Sequence, residues 1–290
     1  MAVDLICTSH PKLFKPKAFL QPMASDWEII QETKSIPQLH NPIFIEGLPG
    51  IGNVGKIAVD FLVEELKAVK LYSFFSHKFP HMVFVNEKNL VEMPKLEIYY
   101  KQFNDKKRQD LLILSGDIQP IDEESCYTFC EEVLKLVKHF KCTEMITTGG
   151  IGLQHIPDKP KVYCTGNDDQ LFKQYIQKGM ITEKEIFGIV GPIVGVSGIL
   201  LGLGIKRNLK GIALLAETFG HPMYLGVKGA KEVLHILEHK FKLGLNFKKM
   251  SKEIVEVEQE LAKKTKEWSM EMGGMQAGAK GKDNETHYIG

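Results

Sequence analysis

The stretch Ile43-Phe44-Ile45-Glu46-Gly47-Leu48-Pro49-Gly50-Ile51-Gly52-Asn53-Val54-Gly55-Lys56 decides how this 290-residue chain is read. A short apolar run meets a glycine-rich turn, and a helical pattern follows over residues 53–68. That order is the start of a strand–turn–helix unit. Outward from it the same alternation recurs: strands over 69–75, 111–115, 144–147, 162–164, 186–190 and 211–215, and helices over 123–140, 168–179, 196–206 and 228–241. Residues 80–100 read as short alternating segments with a turn at 86–89. Strands that alternate with helices imply parallel pairing and a sheet covered on both faces.

The ends differ in kind. Residues 1–40 form an N-terminal extension with weak periodicity and one strand near Trp27. The α/β body occupies 41–247. Over 248–272, Met250, Ile254, Val257, Leu261, Trp268 and Met272 recur at helical spacing among charged residues, the pattern of a long amphipathic, coiled-coil-like helix. Gly273-Gly274 ends that pattern, and 273–290 reads as a flexible tail that closes with His287-Tyr288-Ile289-Gly290.

Composition excludes several classes. The 37 basic and 36 acidic residues leave a net charge of +1, so no concentrated basic surface invites nucleic acid. The run Lys106–Arg108 reads as a solvated loop. No signal peptide is visible at the N-terminus. The apolar stretch 186–203 is broken by five glycines and a proline, and reads as strand, turn and helix in place of a membrane span. The five cysteines are odd in number and lack CxxC spacing, which fits a reduced cytoplasmic setting. Cys126 and Cys130 share an apolar stripe with Val133, Val137 and Phe140, so they read as core.

The 26 glycines raise the question of phosphate binding. Gly50, Gly52 and Gly55 form GxGxxG between a strand and a helix, where pyrophosphate can rest. The next strand should then end in a ribose-binding acid, yet it ends Phe75-Ser76-His77. Read instead as a phosphate loop, Gly50 to Lys56 has Ile57 where the magnesium-binding hydroxyl belongs. His235-Ile236-Leu237-Glu238-His239 matches a zinc-peptidase spacing, but its histidines fall on the solvated face of their helix. Gly195-Val196-Ser197-Gly198 approaches a nucleophile elbow, with the second glycine one place early and only His221 and Asp117 as distant partners. These readings leave no cofactor, no metal ligand set and no catalytic residue assigned.

A ligand edge stays open beside them. Gly47, Gly116-Asp117, Gly149-Gly150 and Glu217-Thr218 close predicted strands, and the carboxyl ends of parallel strands are where open α/β folds bind ligands. Gly50, Gly52, Gly55, Asp117, Gly149, Gly150 and Glu217 would line that edge. Glu217 follows an apolar run and is the candidate acid if an enzyme exists here. That alternative is an enzyme or a small-molecule or nucleotide-binding protein, a hydrolase among the options.

Joint order and spacing point elsewhere. The segments 45–55, Leu114-Ser115-Gly116-Asp117-Ile118-Gln119-Pro120, Thr148-Gly149-Gly150, 191–202 and Leu214-Leu215-Ala216-Glu217-Thr218 resemble the archaeal proteasome assembly chaperone 2 family over about residues 40–270. The resemblance implies a three-layer α/β domain, self-association and no known reaction, although some members carry an ATP-grasp-type ligase label. It also implies that the tail, here Tyr288, Ile289 and Gly290, inserts between α subunits of a ring such as the 20S proteasome. The family's penultimate tyrosine is displaced by one residue in this chain, and His287 precedes it. On this expectation Ile254, Val257, Leu261 and Trp268 serve self-association. Many weak tail contacts would then combine by effective concentration.

Overall fold

In chain order the strands are β1 (Glu28–Gln31), β2 (Ile43–Gly47), β3 (Val69–Phe75), β4 (Phe84–Val85), β5 (Val91–Glu92), β6 (Leu96–Lys101), β7 (Leu111–Gly116), β8 (Glu144–Leu153), β9 (Val162–Gly166) and β10 (Gly211–Phe219). The helices are α1 (Val54–Glu65), α2 (Glu123–His139), α3 (Asp169–Gln177), α4 (Val196–Lys206) and α5 (Val227–Phe241). This computed structural model describes residues 26–177, 181, 191–248 and 250–252. The strand expected at 186–190, the helix carrying Ile254, Val257, Leu261 and Trp268, and the tail with Tyr288, Ile289 and Gly290 lie outside the described residues.

Eight strands make one sheet in the order β1-β3-β6-β7-β2-β8-β10-β9. The central four, β7-β2-β8-β10, pair in parallel, while β6, β3 and β1 on one side and β9 on the other pair antiparallel with their neighbours. Strand β3, two antiparallel steps from β7, again runs with the central set. β4 and β5 form a separate hairpin around the turn expected at 86–89.

Alternation along the central strands feeds two cores. Ile43 and Ile45 of β2 and Leu111 and Ile113 of β7 face α1 and α5, with Leu171 and Tyr175 of α3 in the same cluster. Phe44, Leu112 and Leu114 face α2 and α4. That is the three-layer arrangement, since a strand buried on both faces needs apolar residues at every position. Residues 26–40 contribute to it: β1 extends the sheet through β3, and Trp27 is 3% exposed, packed on Phe129 at 4.8 Å.

Local chemistry sets the helix ends. Asp122 caps α2 by accepting from the Ser125 N–H at 2.9 Å, and Glu123 and Glu124 sit in the first turn where the helix dipole favours them. Cys126 and Cys130 lie buried on the inner face of α2, as the apolar stripe implies. Their mutual hydrogen bond pushes the Cys126 thiol down and the Cys130 thiol up, and burial raises Cys130 further.

Two strands run four or more residues past their expected ends. β8 continues from Thr147 to Leu153 and β10 from Leu215 to Phe219, in parallel register throughout, with Gly150 opposite Ala216 and Leu153 opposite Phe219. Gly149-Gly150 and Glu217-Thr218 therefore lie inside strands and not after them. Each strand supplies the ladder the other needs, which outweighs glycine's poor strand propensity.

Candidate functional site

The turn after β2 is built by left-handed backbone. Gly52 (φ 60) and Asn53 (φ 51) take successive positive φ values, so α1 starts abruptly beneath β8 and β10. A side chain at Gly55 would collide with the Thr148 carbonyl, and one at Gly150 with the Ile51 carbonyl. One at Gly52 would meet Thr218. These glycines answer to the protein's own backbone. Gly50 differs: a Cβ there meets nothing within 4 Å, and its φ of −161° is ordinary extended backbone.

Gly50 opens on a cavity of about 550 Å³ at the carboxyl ends of β2 and β8, bounded also by Gly149, Gly150, the segment 191–194 and Ser197 at the start of α4. Gly50, Gly55, Gly149 and Gly150 of the expected edge meet here. Gly52, Asp117 and Glu217 do not line it. Asp117 accepts from Lys56 Nζ and from the Lys95 N–H, both at 3.3 Å. Lys56, the lysine of the phosphate-loop reading, is held by Asp117 and by Asp60 at 2.9 Å. Glu217 accepts from the Lys161 N–H at 2.9 Å and from the Tyr163 hydroxyl at 3.1 Å, which ties β9 to β10. The candidate acid of the sequence is thus held in the β9–β10 contact, away from the cavity.

The acid beneath the cavity is Glu46. Its side chain is wholly buried at the end of β2. Oε2 accepts from Ser197 Oγ at 2.9 Å, Oε1 from the Leu48 N–H at 3.1 Å, and its carbonyl from Thr148 Oγ1 at 2.8 Å. Burial pushes its carboxyl up to about 7, against the opposing pull of the Ser197 and Leu48 hydrogen bonds. Sequence reasoning passed over Glu46 because it sits in an apolar run; an acid at the fourth place of Ile43-Phe44-Ile45-Glu46, in a strand buried on both faces, was the available signal.

Among the described residues neither the triad nor the metal reading assembles. Ser197 bonds to Glu46, whereas His221 stacks on Phe219 and accepts from the Met223 N–H. His235 stacks on Phe247 at 4.1 Å, and Glu238 accepts from the Leu245 N–H at 3.0 Å, so that pattern organises the end of α5. Among the described residues no helix is long and apolar enough to cross a membrane.

Residues 44–265 match the PAC2 family. The chain belongs to that family. It is similar to the crystal structure of PbaB from Pyrococcus furiosus, described as an archaeal proteasome activator, with TM-score 0.75 and 33% identity over 83% of this chain and 99% of that one. PbaA from the same organism, described as an archaeal homologue of proteasome-assembly chaperone, gives TM-score 0.67 and 25% identity over 87% and 96%. An uncharacterised protein of Methanocaldococcus jannaschii is 27% identical over 262 residues, 90% of this chain and 97% of its own length. The PAC2 family assignment agrees with the family resemblance carried by the segments between Ile45 and Thr218, and the PAC2 fold is the α/β architecture described above.

Proposed function

We propose that the protein is a non-enzymatic chaperone-like adaptor of the proteasome-assembly type, which acts by binding a ring such as the 20S proteasome α subunits. The likeness to PbaB over 83% of the chain carries this reading. The scattering of the triad, zinc and phosphate-loop residues into structural contacts supports it. So does an exposed apolar hairpin: Val85, Leu90 and Val91 of the β4–β5 unit are 67%, 60% and 71% exposed, with Met82, Val83 and Met93 beside them. Clustered apolar surface of this kind marks a protein contact.

In this reading Tyr288, Ile289 and Gly290 form the segment that docks on the ring, and Ile254, Val257, Leu261 and Trp268 serve self-association, in a cytoplasmic setting. A segment that orders only on binding gives modest affinity, and several copies on one oligomer multiply it. The test is affinity capture of proteasome α subunits by the full chain, by a chain lacking residues 286–290 and by Tyr288→Ala. Capture should fall by at least tenfold in both variants while the mass by light scattering stays unchanged. Undiminished capture would end the tail mechanism; no capture by the full chain would end the ring assignment.

A further inference from the structure

The cavity over Glu46 is large enough for a small molecule and sits where open α/β sheets bind ligands. Its chemistry is narrow. Among the described residues no charged side chain lines it; the walls include Leu48, Ile51, Ile151, Ile193 and Leu215. Three polar residues line it, Gln119, Thr148 and Ser197, and the side chain of each is oriented by the protein. Gln119 bridges the turn and the helix, giving Nε2–H to the Pro49 carbonyl at 2.7 Å and accepting the Val196 N–H at 3.2 Å. Ser197 directs its hydroxyl hydrogen to Glu46 Oε2, and Thr148 directs its own to the Glu46 carbonyl. A hydroxyl whose single hydrogen is engaged presents only lone pairs on its other side. Ser197 therefore offers an acceptor in a mostly apolar cavity, beside the Gln119 carboxamide and above buried Thr148.

We propose that this cavity is a binding site for an uncharged, largely apolar small molecule that carries one hydrogen-bond donor, and that Ser197, oriented by Glu46, receives that donor. The inference goes beyond the adaptor reading and stands whether or not the ring is the partner. An ammonium head would meet the N-terminal end of α4, whose dipole is positive there, and a carboxylate would lie close to buried Glu46. The two fields oppose one another, which leaves the uncharged head favoured. Among the described residues, the titratable groups that face Glu46 are the thiols of Cys126 and Cys130 on α2. Above the range near 7 where Glu46 ionises, the Ser197 hydrogen is held on the carboxylate and the acceptor character is complete.

The probe is indole, an apolar bicycle with one N–H, beside indene, which has the same shape without it, and benzoate and benzylammonium as charged counterparts. Calorimetric titration of the full chain at pH 8 should show one equivalent of indole bound, about fivefold tighter than indene, the ratio a single neutral hydrogen bond gives. Ser197→Ala should remove the difference between indole and indene and keep the binding. Gly50→Phe fills open space from an extended backbone position and should abolish both at an unchanged thermal midpoint. Gly191→Phe, at a second lining glycine with no atom within 4 Å of its Cβ, checks a misfolded Gly50 variant. Absence of saturable indole binding, equal affinity for indole and indene, binding that survives both phenylalanine variants, or preference for either charged probe would each overturn the proposal.

Discussion

Ser197 at the start of α4 donates a 2.9 Å hydrogen bond to Glu46 at the end of β2, 151 residues away in the chain. This contact joins a central strand to the helix layer above it and closes the floor of the cavity. It is also where the fold holds an acid with no cation beside it among the described residues.

The Glu46 carboxyl rises from 4.5 to about 7 on folding, so the folded state holds the proton more tightly than the unfolded chain does. Its stabilising contribution is complete below about pH 4.5 and is lost as pH rises through about 7. At most ~3 kcal/mol is at stake, from 1.36 kcal/mol per unit. Urea denaturation of the wild type should therefore show stability falling between pH 5 and pH 8. Glu46→Gln should lack that fall. An identical slope in the variant would assign the titration to another group.

Glycine substitutions should split by what faces them. Gly150→Ala drives a methyl into the Ile51 carbonyl and Gly55→Ala into the Thr148 carbonyl, and each should cost about 2 kcal/mol or more. Gly202, exposed on α4 with nothing within 4 Å of its Cβ, should gain ~0.5–1 kcal/mol as alanine. Chemical denaturation midpoints distinguish the two signs directly.

Trp27→Ala should cost about 3–5 kcal/mol, because it empties the space against Phe129 and Phe79 and leaves the Thr128 hydroxyl without its indole partner at 3.0 Å. Trp27→Phe should recover part of the loss. A cost below ~1 kcal/mol would mean that β1 and its flank are dispensable to the core.

Val85→Lys with Val91→Lys places two charges on the exposed hairpin, where neither touches the core. The thermal midpoint should move little, while self-association or ring capture falls severalfold in light scattering or affinity capture. Unchanged assembly would remove the hairpin from the contact surface.

Periodicity made much of this architecture legible. The strand at 69–75 and the helix at 196–206 coincide with β3 and α4 to the residue, since each has one unbroken pattern between turn signals. β8 and β10 run past their expected ends, where Gly149-Gly150 and Glu217 carry no strand signal of their own; their extension comes from each other. The cavity was partly legible through Gly50, Gly55, Gly149 and Gly150. Glu46 and Ser197 were not paired in advance, because no local pattern links positions 151 apart. Asp117 and Glu217 stand apart from the cavity for the complementary reason: a polar residue near a strand end looks available in sequence, whereas in the fold it is engaged by Lys56 or Tyr163.

The placement of β2 has a consequence in time. It forms the centre of the parallel ladder, yet its neighbours are β7, beginning at Leu111, and β8, beginning at Glu144. On the ribosome, at ~5–20 residues per second, β2 waits on the order of 5–20 s for both flanks to be synthesised. Until β7 emerges Ile43, Phe44 and Ile45 are an unpaired, fully apolar strand, and until β8 emerges one of its edges stays open. Nascent-chain aggregation, and dependence on the cell's own folding helpers, should therefore peak between the emergence of β2 and that of β8.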